Sequence, residues 1–134
     1  MAISTAAITS VNPATDEVLA SFEPHTARQV EEILARTQNA FVAWRARPIA
    51  ERGGPMRRLA AVLRERSDRY ARLMGLEMGK PITEAKAELE KCAWNCEFYA
   101  DNAARFLADE PATTTARKSY VAFDPLGIVL AVMP

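Results

Sequence analysis

The chain has 134 residues, of which 49% are hydrophobic and 25% charged, a composition typical of a folded globular domain rather than of a disordered segment. Its 17 basic and 17 acidic residues cancel, so the net charge gives no reason to expect a nucleic-acid or membrane partner. No apolar run is long enough to cross a bilayer and the first ten residues lack the pattern of a secretory leader, so we expect a cytoplasmic protein.

The first predicted elements are a short hairpin and a helix. Asn12-Pro13 and Thr15-Asp16 mark a turn between two strand-like pieces. The segment Thr26–Gln29 matches a capping box, so a helix is expected to begin there. Apolar positions three and four residues apart predict one helical face that needs a packing partner. They are Val30, Ile33, Leu34, Thr37, Phe41 and Trp44.

Two further helices are predicted in the middle of the chain. Pro48 ends the first helix, and because Gly53-Gly54-Pro55 is a run of helix breakers, the second helix is expected to begin near the last of these residues. Ser67 or Asp68 is expected to cap the third helix. Gly79, followed by Lys-Pro, is expected to end it in a left-handed conformation.

The longest predicted helix runs from Thr83 to about Leu107. About 25 residues at 1.5 Å each give roughly 37 Å, which is long for a domain of this size. A coiled coil would share its apolar spacing, but the small and aromatic residues favour packing against a sheet. These residues are Ala85, Leu89, Cys92, Cys96, Tyr99, Ala103 and Phe106.

The last predicted elements are two strands. Residues Ser119–Phe123 form the first, and after the turn Asp124–Gly127 the apolar run Ile128–Met133 is typical of a parallel strand buried on both faces. Such a strand needs neighbouring strands and covering helices, which short hairpins do not supply. We therefore expect the chain to be part of a longer α/β protein, and this strand to make the chain aggregate when it is alone.

Few side chains carry a chemical signal. His25 has no neighbouring ligand or nucleophile and is expected on a surface loop. Cys92 and Cys96 could bind a metal or form a redox pair, but no further Cys or His cluster completes a four-coordinate set. Both are therefore expected to be buried as small apolar side chains, and no metal site is predicted.

Two other patterns have structural interpretations. Glu84, Glu88 and Lys91, with Lys86 and Glu90, are expected to form a solvated, ion-paired face of the long helix rather than an acid–base pair. Gly79-Lys80 looks like the end of a phosphate-binding loop, but such a loop opens a helix whereas Gly79 ends one.

Several segments taken together resemble the aldehyde dehydrogenase superfamily. They are Asn12–Val18, Phe41–Trp44, Glu77–Ala85 and Asp124–Pro134. Within that family, Ala87–Trp94 and Leu130–Pro134 most resemble the bacterial NAD(P)-dependent succinate-semialdehyde dehydrogenases. The run Gly53-Gly54-Pro55 departs from the family, in which that stretch is plain helix.

The resemblance implies an α/β fold, namely the amino-terminal part of the aldehyde dehydrogenase fold. This part has a short β-hairpin, about four helices and a two-stranded segment ending in a buried parallel strand of an incomplete Rossmann-like sheet. Residues 1–116 would be the hairpin and helices of the cofactor-binding domain, 117–125 the strand of an oligomerisation arm, and 126–134 the first strand of the cofactor-binding sheet. Lys118–Asp124 would join a neighbouring subunit's sheet and give a homo-oligomer.

The resemblance also implies oxidation of an aldehyde, with succinate semialdehyde the expected substrate and NAD or NADP the hydride acceptor. In the family a Cys thiolate attacks the aldehyde, a Glu activates the hydrolytic water and an Asn holds the oxyanion. All three lie beyond the part that this chain resembles, so no catalytic residue is assigned and the chain alone is expected neither to react nor to bind cofactor. Val132, Met133 and Pro134 resemble positions that line the cofactor cleft.

Two alternatives remain open. The chain could be a non-catalytic interaction module that docks onto full-length aldehyde dehydrogenase subunits through Lys118–Asp124. It could also be a self-contained helical binding domain, although the unpaired apolar strand disfavours this.

Overall fold

The structure, a computed structural model, describes residues 7–132 as four α-helices and two small antiparallel sheets. In chain order the elements are β1 (Ile8–Val11), β2 (Val18–Phe22), α1 (Ala27–Arg45), α2 (Ile49–Glu65), α3 (Ser67–Met78), α4 (Ile82–Phe106), β3 (Glu110–Pro111) and β4 (Tyr120–Val121). The predicted hairpin, the four helices and the α/β class are confirmed. None of the helices within residues 7–132 combines the length and the apolar character needed to span a membrane.

The amino-terminal hairpin is shaped by Asn12, which is buried. Its side-chain Oδ1 accepts a hydrogen bond from the backbone N–H of Ala14 at 2.9 Å, and its own N–H donates to the carbonyl oxygen of Glu17 at 2.9 Å. The hydroxyl of Ser10 donates to the carboxylate of Glu77 on α3 at 2.8 Å. A turn that satisfies its own polar groups is therefore attached to the helices by a side-chain contact.

The two ends of α1 are held by different side chains. Both hydrogen bonds of the predicted capping box are present, because Thr26 Oγ1 accepts from the N–H of Gln29 at 3.3 Å and Gln29 Oε1 accepts from the N–H of Thr26 at 2.8 Å. At the other end, the guanidinium of Arg52 on α2 donates to the carbonyl oxygens of Arg45 and Arg47 at 2.8–3.1 Å. The end of α1 is thus bound to the start of α2.

The apolar stripe of α1 has no extensive partner among the described residues. No residue of α1 is buried, and Val30 and Leu34 are each 43% exposed. Only its carboxyl-terminal end comes close to other helices, where Trp44 lines a cavity of about 200 Å³ with residues of α2 and α4.

Helix α2 begins at Ile49, so the predicted start near Pro55 is wrong. Gly53 is buried against α4, where an added Cβ would lie 3.0 Å from the carbonyl oxygen of Ala100. The glycine therefore allows the two backbones to approach closely, and packing between α2 and α4 offsets the hydrogen bond that Pro55 cannot donate. The sequence rule that treats these residues as helix breakers considers only local structure, and it does not include this contact between α2 and α4.

Helix α3 follows α2 with only Arg66 between them. The predicted side-chain cap is wrong, because Ser67 and Asp68 are the first helical residues and no side chain caps the helix start. Arg66, with φ −103° and ψ 17°, keeps the backbone close to helical and leaves no extended N-cap position. The predicted stop is confirmed, since Gly79 has a φ of 67° and donates its N–H to the carbonyl oxygen of Gly75 at 3.0 Å.

The core between α2, α3 and α4 consists largely of single methyl groups. Its buried hydrophobic residues are Ala60, Ala71, Ala85, Leu89 and Ala93. The accessible surface of the chain is 11,074 Å², whereas a compact monomer of this mass exposes about 7,000 Å². Close helix packing in one place is therefore accompanied by much uncovered surface elsewhere.

The second small sheet pairs Glu110 with Val121 and Pro111 with Tyr120. The predicted strand Ser119–Phe123 is thus confirmed only in its central part, and its partner comes from a segment in which no strand is predicted from the sequence. Two residues per strand give a ladder with few hydrogen bonds.

The predicted buried strand Ile128–Met133 does not form within the described residues. Residues 128–132 belong to no helix or strand, and the side chains of Val129, Leu130 and Val132 are all more than 80% exposed. Met133 lies outside the described residues. The physical reason is that a parallel strand takes its hydrogen bonds and its burial from neighbouring strands, and residues 7–132 contain none for it.

Candidate functional site

The candidate site is the segment from residue 110 to residue 132, called the arm below. Its loop is held by hydroxyl groups: Thr114 Oγ1 and Ser119 Oγ lie 2.6 Å apart, and Thr114 Oγ1 accepts from the N–H of Ala116 at 3.1 Å. The Nζ of Lys118 stands 4.5 Å from the ring centroid of Tyr120, a cation–π contact. These local contacts give the arm a defined tip.

The outer edge of the arm is open. Neither β3 nor β4 pairs with any other strand in residues 7–132. Tyr120, Val121 and Phe123 are 46%, 52% and 44% exposed, so apolar side chains accompany the free backbone groups. An edge of this kind can accept a further strand.

The structure describes one of the three residues that are predicted to line the cofactor cleft. Val132 is described and is 85% exposed. Met133 and Pro134 lie outside the described residues. Residues 126–132 offer apolar side chains and backbone groups but no cationic or hydroxyl side chain. Such a segment fits an apolar wall beside a cofactor ring and does not fit a phosphate site, and its role stays a prediction.

The strongest electrostatic feature lies between α2 and α4. Arg64 Nε donates to both carboxylate oxygens of Glu90 at 3.0 Å, and Arg64 Nη2 donates to Glu97 at 2.9 Å. These hydrogen bonds lower the pKa of both carboxyl groups and raise the pKa of the guanidinium. All three groups stay charged near neutral pH, so they form a clamp between helices rather than an acid–base pair.

The predicted ion-paired face of α4 is confirmed only in part. Within residues 7–132, no ion pair joins two residues of α4, and the paired residues reach other segments. Lys86 pairs with Asp68 of α3, and Glu88 pairs with Lys80 in the preceding loop. The pKa of Asp68 is lowered first by its hydrogen bond with Lys86, and the charge of Arg72 contributes further.

The isolated chemical groups have mixed outcomes. His25 is exposed, as predicted. Both cysteines are free thiols, but Cys92 is exposed and Cys96 only half-buried, so their predicted burial is wrong. The buried line of α4 passes through Leu89 and Ala93, and Cys92 lies about 100° around the helix from Ala93. No group of three or more His, Cys, Asp or Glu side chains within residues 7–132 is placed to hold a metal ion.

Sequence reasoning missed the Arg64 clamp, although a signal for it exists. The segment Arg45–Arg72 contains nine arginines and three carboxylates, in a chain whose total charges balance. A neutral total therefore conceals a basic α2–α3 region that faces carboxylates of α4.

Comparison with known proteins relates nearly the whole chain to one family. The sequence model of the aldehyde dehydrogenase family matches residues 2–134. The chain is 47% identical over 128 residues to a probable succinate-semialdehyde dehydrogenase (NADP(+)) of Synechocystis sp., covering 96% of this chain and 28% of that protein. It is 40% identical over 131 residues to a succinate-semialdehyde dehydrogenase (NADP(+)) of Mycobacterium avium, covering 95% of this chain and 28% of that protein.

A solved structure agrees with these relatives. The fold is similar to the crystal structure of succinic semialdehyde dehydrogenase from Streptococcus pyogenes in complex with NADP+, with a TM-score of 0.79 and 33% identity. The match covers 85% of this chain and 25% of that one. The chain thus spans 28% of the length of the curated relatives described above.

Proposed function

The chain belongs to the aldehyde dehydrogenase family, and we propose that it forms the amino-terminal part of an NAD(P)-dependent enzyme that oxidises succinate semialdehyde. The 47% identity over 128 residues with the Synechocystis protein is the observation that carries this proposal. The names of both relatives specify NADP(+), which favours NADP over NAD as the hydride acceptor. Small secreted domains are commonly stapled by several disulfides, whereas this chain has only two cysteines, so the cytoplasm is the proposed location.

In this proposal the described residues support the chemistry without performing it. The clamp of Arg64 with Glu90 and Glu97 holds α2 against α4. Val132, with Met133 and Pro134, would contribute an apolar wall to the cofactor cleft. The bound cofactor would accept hydride from the aldehyde carbon. No side chain of residues 7–132 is proposed as nucleophile or base, so the 134 residues alone are expected to be inactive.

A chimeric enzyme tests this proposal. Residues 1–134 replace the corresponding part of the Synechocystis relative, and NADPH formation is followed with succinate semialdehyde and with butanal. We expect oxidation of succinate semialdehyde in preference to butanal, and no turnover by the 134 residues alone. A chimera that is folded and oligomeric but oxidises neither aldehyde with either cofactor would contradict the proposal.

Two control variants sharpen the same experiment. Replacing Cys92 and Cys96 together by Ser should leave turnover unchanged, because neither thiol is proposed to attack the aldehyde. A loss of turnover with normal folding would assign one of them to the chemistry.

The open edge of β4 also supports the docking of Lys118–Asp124 onto another subunit. In the intact enzyme this would give a homo-oligomer, and for the chain alone it would give a non-catalytic module bound to full-length subunits. The test is co-purification of the chain with a tagged full-length relative, with Tyr120→Pro as the variant. Tyr120 and Pro111 are a non-hydrogen-bonded pair, so the N–H of Tyr120 faces the open edge and proline removes it there. A stable monomer that does not co-purify would argue against docking.

A further inference from the structure

Cys92 and Cys96 form a pair of reduced thiols one turn apart on α4. Cys92 is exposed and lines a shallow surface depression of about 520 Å³, together with Ala87, Glu88, Lys91 and Asn95. Cys96 is half-buried one turn further along the helix. The thiol of Cys92 is therefore open to small solutes from solvent, with a second thiol close by on the same side.

The helical spacing determines whether the two sulfurs can form a disulfide or bind one metal ion together. Side chains four residues apart on a helix have Cβ atoms about 5–6 Å apart, whereas a disulfide needs a Cβ–Cβ distance of about 3.8 Å. Two thiolates on opposite sides of one metal ion, at about 2.3 Å each, span roughly 4.6 Å. The Cβ spacing is thus too wide for an undistorted disulfide. Because each sulfur lies one bond beyond its Cβ and can rotate toward the other, the same spacing allows the two sulfurs to reach opposite sides of one ion.

The number and the type of donors decide which ion fits. Two thiols are available, and the described residues contain no third His, Cys, Asp or Glu side chain that completes a larger set. Glu88 lies one turn before Cys92, but its carboxylate is paired with Lys80. Structural zinc requires four ligands, and calcium and magnesium require oxygen donors. Thiolates select soft ions such as Cu⁺, for which two donors in line are sufficient.

We propose that Cys92 and Cys96 form a binding site for a soft, two-coordinate cation of the Cu⁺ class. Each thiol loses one proton when its sulfur binds the ion, so one Cu⁺ enters and two protons leave. The resulting centre carries one negative charge, and Lys91 on the rim of the same depression supplies a positive charge nearby. The site is separate from the proposed dehydrogenase chemistry.

Anaerobic titration of the 134-residue chain with Cu⁺, in competition with a coloured Cu⁺ chelator, tests the site. The single variants Cys92→Ser and Cys96→Ser each remove one donor. A matched control, Cys96→Ser with Ala104→Cys, keeps two thiols but separates them by about 18 Å along the helix. Ala104 is exposed, so this exchange disturbs no buried contact. Circular dichroism verifies that every variant keeps its helix content.

The wild-type chain should bind one Cu⁺ per chain with release of two protons, and X-ray absorption should show two sulfur ligands. Both single variants and the relocated pair should bind at least about 100-fold more weakly, because the second sulfur acts at a high effective concentration only when it is adjacent. Equal affinity of the relocated pair, or one Cu⁺ on each thiol of the wild type, would overturn the proposal. Dehydrogenase activity of the chimera is not a readout of this site, so the two proposals fail separately.

Discussion

The bundle of α2, α3 and α4 and the arm show two different relations between sequence and structure. In the bundle, buried methyl groups and charge pairs between helices are both supplied by the chain itself. In the arm, a ladder of two residues per strand is followed by Val129, Leu130 and Val132, whose side chains are almost fully exposed. Apolar residues therefore produce a packed element only where the same chain also supplies the surface that covers them.

The same substitution in the two regions should give the largest contrast. Leu89→Ala in α4 should lower the free energy of unfolding by about 2–5 kcal/mol, because it leaves a cavity in a core of small side chains. Leu130→Ala in the arm, where the side chain is 89% exposed, should change it by no more than about 0.5 kcal/mol. Urea denaturation followed by circular dichroism measures both, and equal losses would show that the arm is packed in solution.

Close packing between α2 and α4 can be tested at two adjacent glycines. Gly53→Leu should destabilise the chain by about 1–3 kcal/mol, because its side chain would meet the backbone of Ala100. Gly54→Leu is the matched control, since a Cβ there meets only the side-chain Nη1 of Arg58 at 3.5 Å, and a better helix former should raise the melting temperature. The reverse order of melting temperatures would contradict the observed helix contact.

The Arg64 clamp should make the stability of the bundle depend on pH. The pKa values of Glu90 and Glu97 are lowered in the folded chain, so their contribution is present above the ordinary glutamate pKa of about 4.3 and is lost as the pH falls through the lowered values. Arg64→Met should therefore lower the urea midpoint at about pH 7 and have a smaller effect at about pH 3.

Arg58→Met is the control for this experiment, because no carboxylate among the described residues lies within ion-pair distance of Arg58. It should leave the pH dependence unchanged. Parallel pH profiles for the wild type and Arg64→Met would show that the clamp does not make the stability depend on pH.

The smallest effect on stability is expected from a charge in the arm. Leu130→Lys should leave the urea midpoint unchanged, because the side chain is exposed, but it should raise the protein concentration at which the chain aggregates. Light scattering against concentration provides the measurement. An unchanged aggregation threshold would mean that Ile128–Met133 is not the segment that associates.

Local signals predicted those parts of the fold that local interactions determine. The capping box at Thr26 and the left-handed stop at Gly79 are satisfied within a few residues, and both were predictable. The continuation of α2 through Gly53 and Pro55 was not, because its cause is a contact with Ala100 in another helix.

The candidate site was less predictable for the same reason. The exposure of Cys92 depends on which residues of α4 face the other helices, and amphipathic spacing alone placed it on the wrong side. The role of Val132 depends on strands and a cofactor that residues 7–132 do not contain. Resemblance to the family supplied an interpretation for that segment, and packing within this chain does not test it.

Helix α1 is attached at one end, so a small rotation there produces a large displacement at the other end. Arg52 fixes its carboxyl-terminal end at Arg45 and Arg47, whereas its apolar stripe has no extensive contact within the described residues. Gln29 lies about 24 Å along the helix from Arg45, so a rotation of about 10° at the fixed end would move Gln29 by roughly 4 Å. Spin labels at Gln29 and on α4 should therefore show a broad distance distribution, which would narrow in any assembly whose surface covers the stripe.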